Sequence, residues 1–305
     1  VKAIEVYSLG NFPSEILPAK EEYIRNYGVY SEFWKARTEE QRASLKPHLF
    51  TYLDELSSYF HSQALGNRQL VEEYRELKVA GKKPNFKKPQ DSSQANFIKA
   101  AGLYQQFIVT FPEDPKVAEI TYLMGEAFYE AGQLESAIKA YETVAYTHVD
   151  KQRGADAGYS AIFTLQRLIE ESPAKTEADQ IVLAERREHK ITSTLNFADY
   201  YSIDKRAPAV LTKAGQEVFE QGDMPRAETI AKRMTQWQPV PEKSLQKTAW
   251  MVLGHAQFDQ QKFGEAEVSY RRLLTLLEDA DPDKPAIVER IAASMYRSSE
   301  AQIAA

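Results

Sequence analysis

Apolar residues recur along much of the chain at the i, i+3, i+4, i+7 spacing of helices that are buried on one face. The flanks of Gly132 carry this helical pattern rather than the alternation of a strand. The same pattern predicts further helices at about 47–64, around 100–107, at 154–171, at 178–200 and at 285–303. The hydrophobic pattern therefore predicts an all-α fold.

Three glycines are followed by the same kinds of residue at fixed offsets. The anchors are Gly125, Gly215 and Gly254. Twelve residues later each is followed by an alanine, and two of them have a tyrosine at +16. A second glycine stands at +7 from the first two anchors, where the third has Gln261. The residues at these offsets are Gly132, Ala137 and Tyr141; Gly222, Ala227 and Ala231; Gln261, Ala266 and Tyr270.

These offsets fit a unit made of a helix, a tight turn and a second, antiparallel helix. The anchor glycine has no side chain, so the second helix can approach closely there. We expect the alanine at +12 to be the small partner on that helix, with the aromatic at +16 beside it. The glycine at +7 then ends the first helix in a left-handed conformation, which costs least without a Cβ.

These residues closely resemble the tetratricopeptide repeat, a helical hairpin of about 34 residues. Trp250 to Gly254 reproduces the W-x-x-L-G opening of that family, whereas Thr121 and Met124 replace its Trp and Leu in the first unit. Pro239 stands at the closing-proline position of the second unit. The resemblance implies a right-handed superhelical solenoid over residues 1–305, with repeats at 116–150, 207–240 and 247–280 and a terminal helix at 285–303.

The N-terminal part, residues 1–115, is helical but weakly patterned. Its helices at 47–64 and 100–107 would pair across an insertion at about 66–94, which contains Gly81, Pro84 and Pro89. We interpret this insertion as an exposed basic loop, with contact to an acidic partner or to anionic lipid as the alternative. Phe86 lies among its lysines, which are Lys78, Lys82, Lys83, Lys87 and Lys88.

The start at Val1 predicts a fragment of a longer chain. The unpaired helix at 285–303 predicts either further repeats of the same chain past Ala305 or a helix that caps the array. Residues 104–141 also resemble repeats of bacterial cell-envelope proteins, such as the barrel-assembly lipoproteins. That likeness implies a periplasmic or envelope location; the alternative is cytoplasmic.

Composition excludes several classes of function. The absence of cysteine removes disulfides, thiolate nucleophiles and Cys-ligated zinc. A formal net charge of −6 argues against nucleic acid as the main partner, and no apolar run is long enough to span a bilayer. Nucleotide-binding loops and nucleophile elbows are absent, and no His pair has helical metal-ligand spacing. We expect no cofactor, metal or catalytic residue; the His255–Asp259 pair is interpreted as a polar surface pair.

A binding surface is the remaining functional expectation. In tetratricopeptide repeats the residues at −3, +1, +4 and +5 from the anchor glycine face the concave groove of the first helices. Carried over, these positions are Tyr122, Glu126, Tyr129 and Glu130; Thr212, Gln216, Phe219 and Glu220; Met251, His255, Phe258 and Asp259. Aromatic anchors with carboxylates around them favour a partner segment that has apolar side chains and some basic character. The alternative is that the three +4 aromatics only pack against the next hairpin.

The leading hypothesis is therefore a non-enzymatic scaffold that binds a protein or peptide segment. A second hypothesis is a recruiting or regulatory module of a larger envelope polysaccharide, export or assembly protein. A third is a hydrolase hidden in the weakly patterned N-terminal part.

Overall fold

The structure, a computed structural model, describes residues 1–148 and 150–304, and every regular element in them is a helix. A π-helical turn, Thr143–Thr147, continues α8. The α-helices are α1 (Lys2–Leu9), α2 (Pro13–Tyr27), α3 (Glu32–Lys35), α4 (Glu39–Ala43), α5 (Lys46–Val79), α6 (Ser93–Thr110), α7 (Val117–Glu130), α8 (Leu134–Glu142), α9 (Gly154–Glu170), α10 (Glu177–Tyr200), α11 (Ala207–Glu220), α12 (Met224–Thr235), α13 (Lys243–Asp259), α14 (Phe263–Leu276) and α15 (Lys284–Ala304).

The chain divides into two compact units, Val1–Arg187 and Glu188–Ala305. The boundary falls inside α10. That one solenoid runs through 1–305 stays a prediction. The repeat predicted at 116–150 includes Val149, which lies outside the described residues.

In the first unit consecutive helices pack against each other from α5 through to α9, ending with the α8–α9 contact. Helix α2 also packs against α5. The core is continuous from the N-terminal helices to α7. Leu53 and Leu56 of α5 face Phe97 and Phe107 of α6 in this core, and all four are at most 1% exposed. Burial of these side chains, rather than intrinsic helix propensity, holds the helices in place.

In the second unit α11, α12, α13, α14 and α15 pack in the same sequential way. Tyr270 and Leu273 of α14 are fully buried, and Ile287 and Ile291 of α15 complete their cluster. The terminal helix therefore buries one face on α14. The predicted all-α class is confirmed over the described residues: within each unit consecutive helices pack as antiparallel hairpins.

The three predicted turns share one hydrogen-bond pattern. In the first, the Gly132 N–H donates to the Tyr129 carbonyl (3.0 Å) and the Gln133 N–H to the Phe128 carbonyl (2.8 Å), which is a Schellman motif. The turns after α11 and α13 repeat both bonds. Gly132, Gly222 and Gln261 all have positive φ, at 78°, 85° and 62°. The left-handed +7 position is thus confirmed in all three hairpins, although in the third a glutamine adopts it.

The expected contact of the anchor glycine was wrong in one respect. A Cβ on Gly125 would lie 2.9 Å from the Tyr141 ring, and one on Gly254 would lie 2.7 Å from the Tyr270 ring. The close partner is therefore the aromatic at +16 and not the alanine at +12. In the hairpin anchored on Gly215, where Ala231 replaces that aromatic, Ile230 takes the place at 3.2 Å.

The loop expected at about 66–94 was also wrong in its first half. Helix α5 continues without a break to Val79, and residues 80–92 alone are non-helical. Residues 67–79 contain no proline or glycine and are rich in helix formers, so the single Gly66 does not end the helix. Gly81, at φ 69°, caps α5 with the same Schellman pattern as the repeat turns.

Candidate protein-binding faces

The residue after the anchor glycine is tied to the tyrosine that covers that glycine. In the first unit the Tyr141 hydroxyl donates to Glu126 Oε1 (2.5 Å), and in the second unit His255 Nδ1 lies 2.7 Å from the Tyr270 hydroxyl. Burial raises the pKa of Tyr141, as does the neighbouring Glu126 carboxylate. Burial also raises the pKa of Tyr270 to about 12. These hydrogen bonds fix the first helix against the second in the hairpins anchored on Gly125 and Gly254.

The His255 side chain has a packing role. Burial lowers its pKa, as does the nearby Arg290 guanidinium, against an opposing effect of Asp259. The ring therefore stays neutral near pH 7, and its Nδ1 forms a hydrogen bond with the Tyr270 hydroxyl. It also lies 6.0 Å, centroid to centroid, from the Phe219 ring of α11.

The three aromatics at +4 all contact a neighbouring first helix. Tyr129 of α7 lies 6.4 Å from Phe163 of α9, and the Arg167 guanidinium stands 4.9 Å from the Tyr129 ring. The Phe219 ring of α11 packs against the His255 ring of α13. Phe258 of α13 is covered by Arg290 of α15 at 5.2 Å. All three rings remain partly exposed, so they pack between hairpins and still present an edge to solvent.

The predicted carboxylates behave differently in the two units. In the first, Glu126 accepts from Tyr141 and Glu130 pairs with Arg68 of α5. Both are engaged inside the unit. In the second unit Glu220 and Asp259 are exposed beside Phe219 and Phe258.

The residues at −3 contribute little exposed surface. Thr212 is buried, and its hydroxyl donates to the Pro208 carbonyl at 2.8 Å. Tyr122 packs against Tyr141 at 5.7 Å, and Met251 packs against the α14–α15 cluster. Gln216, one turn before Phe219 and Glu220 on α11, is exposed.

The sequence reasoning missed a third contact of this kind between a buried tyrosine and a polar side chain, in the hairpin of α5 and α6. Tyr104 of α6 hydrogen-bonds His61 Nδ1 of α5 (3.2 Å), and burial raises its pKa to about 12 although Ser57 and Ser58 hydrogen-bond it. Ser57 of α5 is 1% exposed. The hairpin itself was predicted from its hydrophobic pattern, and α5 and α6 do pack against each other.

Among the described residues no cluster of three or more His, Asp or Glu side chains could hold a metal ion. Over the same residues, none of the helices combines the length and the apolarity that crossing a bilayer requires.

The family comparison falls on α6 to α9. A tetratricopeptide repeat model matches residues 93–156. The match covers α6, α7, α8 and the start of α9, and thus includes the hairpin anchored on Gly125.

Several solved structures are similar to this chain at low sequence identity. One is a thermophilic TPR protein of Thermus thermophilus, at 13% identity over 75% of this chain and 99% of that one, with a TM-score of 0.32. Another is BtubC from P. vanneervenii, at 14% identity over 79% and 91%, with a TM-score of 0.33. A third is the TPR2AB domain of yeast Sti1 in its pHSP90 complex, at 14% identity over 92% and 99%, with a TM-score of 0.26. No curated protein matches the sequence.

Proposed function

We propose that the chain is a non-enzymatic protein-binding scaffold, and that the face formed by the first helices of the second unit holds the partner. We call this the α11/α13 face and define it by Gln216, Phe219, Glu220, Met251, His255, Phe258 and Asp259. The observation that carries the proposal is the row of partly exposed rings, Phe219, His255 and Phe258, flanked by exposed polar side chains. Aromatic edges supply most of the energy at such surfaces.

The charge of this face supports a choice of partner. Glu220 and Asp259 are exposed, whereas Arg290 is occupied above the Phe258 ring. A segment with apolar side chains and Lys or Arg between them would place apolar groups on the rings and cations beside the carboxylates. Exposed charges of this kind mainly set association rate and partner choice.

The corresponding face of the first unit, with Tyr122, Glu126, Tyr129 and Glu130, is the weaker part of the proposal. Both of its carboxylates already have partners within the unit. On this face the row of aromatic rings extends to Phe163, which is 57% exposed. We therefore expect this face to favour apolar segments without a strong charge preference.

A peptide array tests the proposal. It would contain pairs of peptides with the same apolar positions and either Lys or Glu between them. Wild-type protein should prefer the Lys set, and Glu220→Lys/Asp259→Lys should lose or invert that preference. Glu113→Lys/Glu242→Lys makes the same change of charge at exposed residues away from the face and should leave it intact. Equal binding of both sets, or cleavage of the peptides, would contradict the proposal.

A location in the bacterial cell envelope stays a prediction that rests on the likeness of residues 104–141. Fractionation of cells that produce the natural full-length gene product tests it. Recovery in the cytoplasmic fraction would remove this part of the proposal and leave the binding face untouched.

A further inference from the structure

Helix α5 projects beyond its partner helix. It has 34 residues against 18 in α6, about 51 Å against 27 Å at 1.5 Å per residue. Asn67 lies level with the start of α6, because its side chain donates to the Gln90 carbonyl (2.9 Å) and accepts from the Ser92 N–H (2.9 Å). The helix that follows Asn67, up to Val79, thus extends about 18 Å past that level.

The returning loop is packed along this projection. Phe86 lies 6.0 Å from the Tyr74 ring of α5, and the Gly81 turn brings the chain back from the helix end. Lys78, Lys82, Lys83, Lys87 and Lys88 are all exposed. We call these five lysines the basic tip.

The stretch that carries the basic tip, from Lys78 to Lys88, contains no acidic residue. No Asp or Glu occurs between Glu76 and Asp91. Within residues 1–148 and 150–304, none of the five ammonium groups forms an ion pair. Removing these five charges from the chain's −6 leaves −11 for the rest, so the tip is a local reversal of sign. The acidic residues nearest in sequence are Glu72, Glu73 and Glu76 on the same projection and Asp91 after the loop. Residues 67–92 therefore carry seven positive and four negative charges, a net charge of +3.

The chemistry of the tip favours a surface over a specific macromolecular partner. All five cations are lysines, which are depleted at protein interfaces, where arginine is enriched. The Phe86 ring is partly buried against Tyr74 rather than free to stack on a nucleic-acid base. Val79, by contrast, is apolar and 85% exposed between Lys78 and Lys82. Clustered lysines next to an exposed apolar residue suit the boundary of an anionic bilayer.

We propose that the basic tip, together with Val79, docks the protein on an anionic phospholipid surface. The site is independent of the α11/α13 face, so each proposal can fail alone. Each lysine near such a surface contributes about a five-fold gain in partitioning. The tip as a whole therefore gives reversible, salt-sensitive attachment rather than insertion.

The experiment is co-sedimentation of the full chain with phosphatidylcholine vesicles, with and without phosphatidylglycerol, at low and high salt. Wild-type protein should bind only the anionic vesicles and should be released by salt. The variant Lys82→Gln/Lys83→Gln/Lys87→Gln/Lys88→Gln should bind on the order of several hundred-fold less.

The matched control is Lys139→Gln/Lys205→Gln/Lys213→Gln/Lys232→Gln, at four exposed lysines elsewhere. Both variants take the net charge from −6 to −10 by removing four positive charges. The control should keep most of the binding. Equal loss in both variants would overturn the proposal, as would failure of wild-type protein to bind anionic vesicles. Binding of soluble polyglutamate by the tip without vesicle binding would assign it to an acidic protein instead.

Discussion

The ring of Tyr270 lies directly against the backbone of Gly254, so that a Cβ at residue 254 would come within 2.7 Å of Tyr270 Cε1. Tyr270 is fully buried and cannot swing away without breaking its hydrogen bond to His255. This contact sets the spacing between α13 and α14.

Substitution Gly254→Ala should therefore destabilise the second unit strongly. The added methyl overpacks a closed contact, and we expect a loss of about 2–3 kcal/mol in the free energy of unfolding. Urea unfolding followed by circular dichroism checks this.

Gly102 provides the matched control. It also lies inside a helix, α6, but a Cβ there would meet nothing within 4 Å. Gly102→Ala should stabilise by about 0.5–1 kcal/mol, because alanine is the better helix former. If Gly254→Ala and Gly102→Ala changed the urea midpoint by the same amount and in the same direction, the contact between Gly254 and Tyr270 would not be a closed one.

The offsets predicted the three hairpins well because helix ends and close contacts both demand glycine. They could not tell which residue opposes the anchor, since alanine at +12 and an aromatic at +16 are both expected on a helix that packs closely. The length of α5 was missed for another reason. The lysines and prolines at 82–89 are compatible both with a free loop and with a loop that packs beside a helix. Only the three-dimensional course of the chain shows that Gly81 caps α5.

Gln261 adopts the left-handed conformation that glycine holds in the other two turns, with φ 62°. A side chain in this region costs about 1 kcal/mol relative to glycine. Gln261→Gly should raise the midpoint of thermal unfolding, with a gain of about 0.5–1 kcal/mol. The reverse change, Gly222→Ala at φ 85°, should lower it by a similar amount. A loss on Gln261→Gly would show that its side chain makes a stabilising contact.

Two partly buried histidines predict acid sensitivity. Burial lowers the pKa of both His61 and His255 below the ordinary 6.5. The unfolded chain therefore binds more protons than the folded one as pH falls below 6.5. Stability is fully present above that pH and should decline as pH falls from 6.5 towards the lowered values.

The measurement is the thermal midpoint between neutral pH and about pH 5, above the range in which most carboxylates titrate. The double variant His61→Gln/His255→Gln keeps a group that can hydrogen-bond tyrosine but cannot ionise, so its profile should be flat. A wild-type midpoint that does not fall over this range would contradict the assignment.

The candidate site was only partly predictable from the sequence. Carry-over of groove positions predicted that Phe219, His255 and Phe258 share one face, and the Phe219 and His255 rings do lie 6.0 Å apart. That this face binds a partner stays a prediction. The carry-over could not show that Glu130 pairs with Arg68, because their partnership depends on the unforeseen length of α5. Arg290 was missed as well, since α15 carries no repeat motif.

The contact between Phe219 and His255 joins two consecutive hairpins, and its energy can be measured separately from binding. Aromatic pairs at this separation contribute about 0.5–1.5 kcal/mol beyond area burial. A double-mutant cycle with Phe219→Ala, His255→Ala and the double variant should give a coupling of about that size. The His255→Ala change also removes the hydrogen bond to Tyr270. This loss occurs both with and without Phe219, so it cancels in the coupling energy. A parallel cycle with Phe219→Ala and Tyr296→Ala, an exposed tyrosine on α15, should be additive. Coupling near zero in the first cycle would mean that Phe219 does not hold the hairpins together, and would leave partner binding as its role.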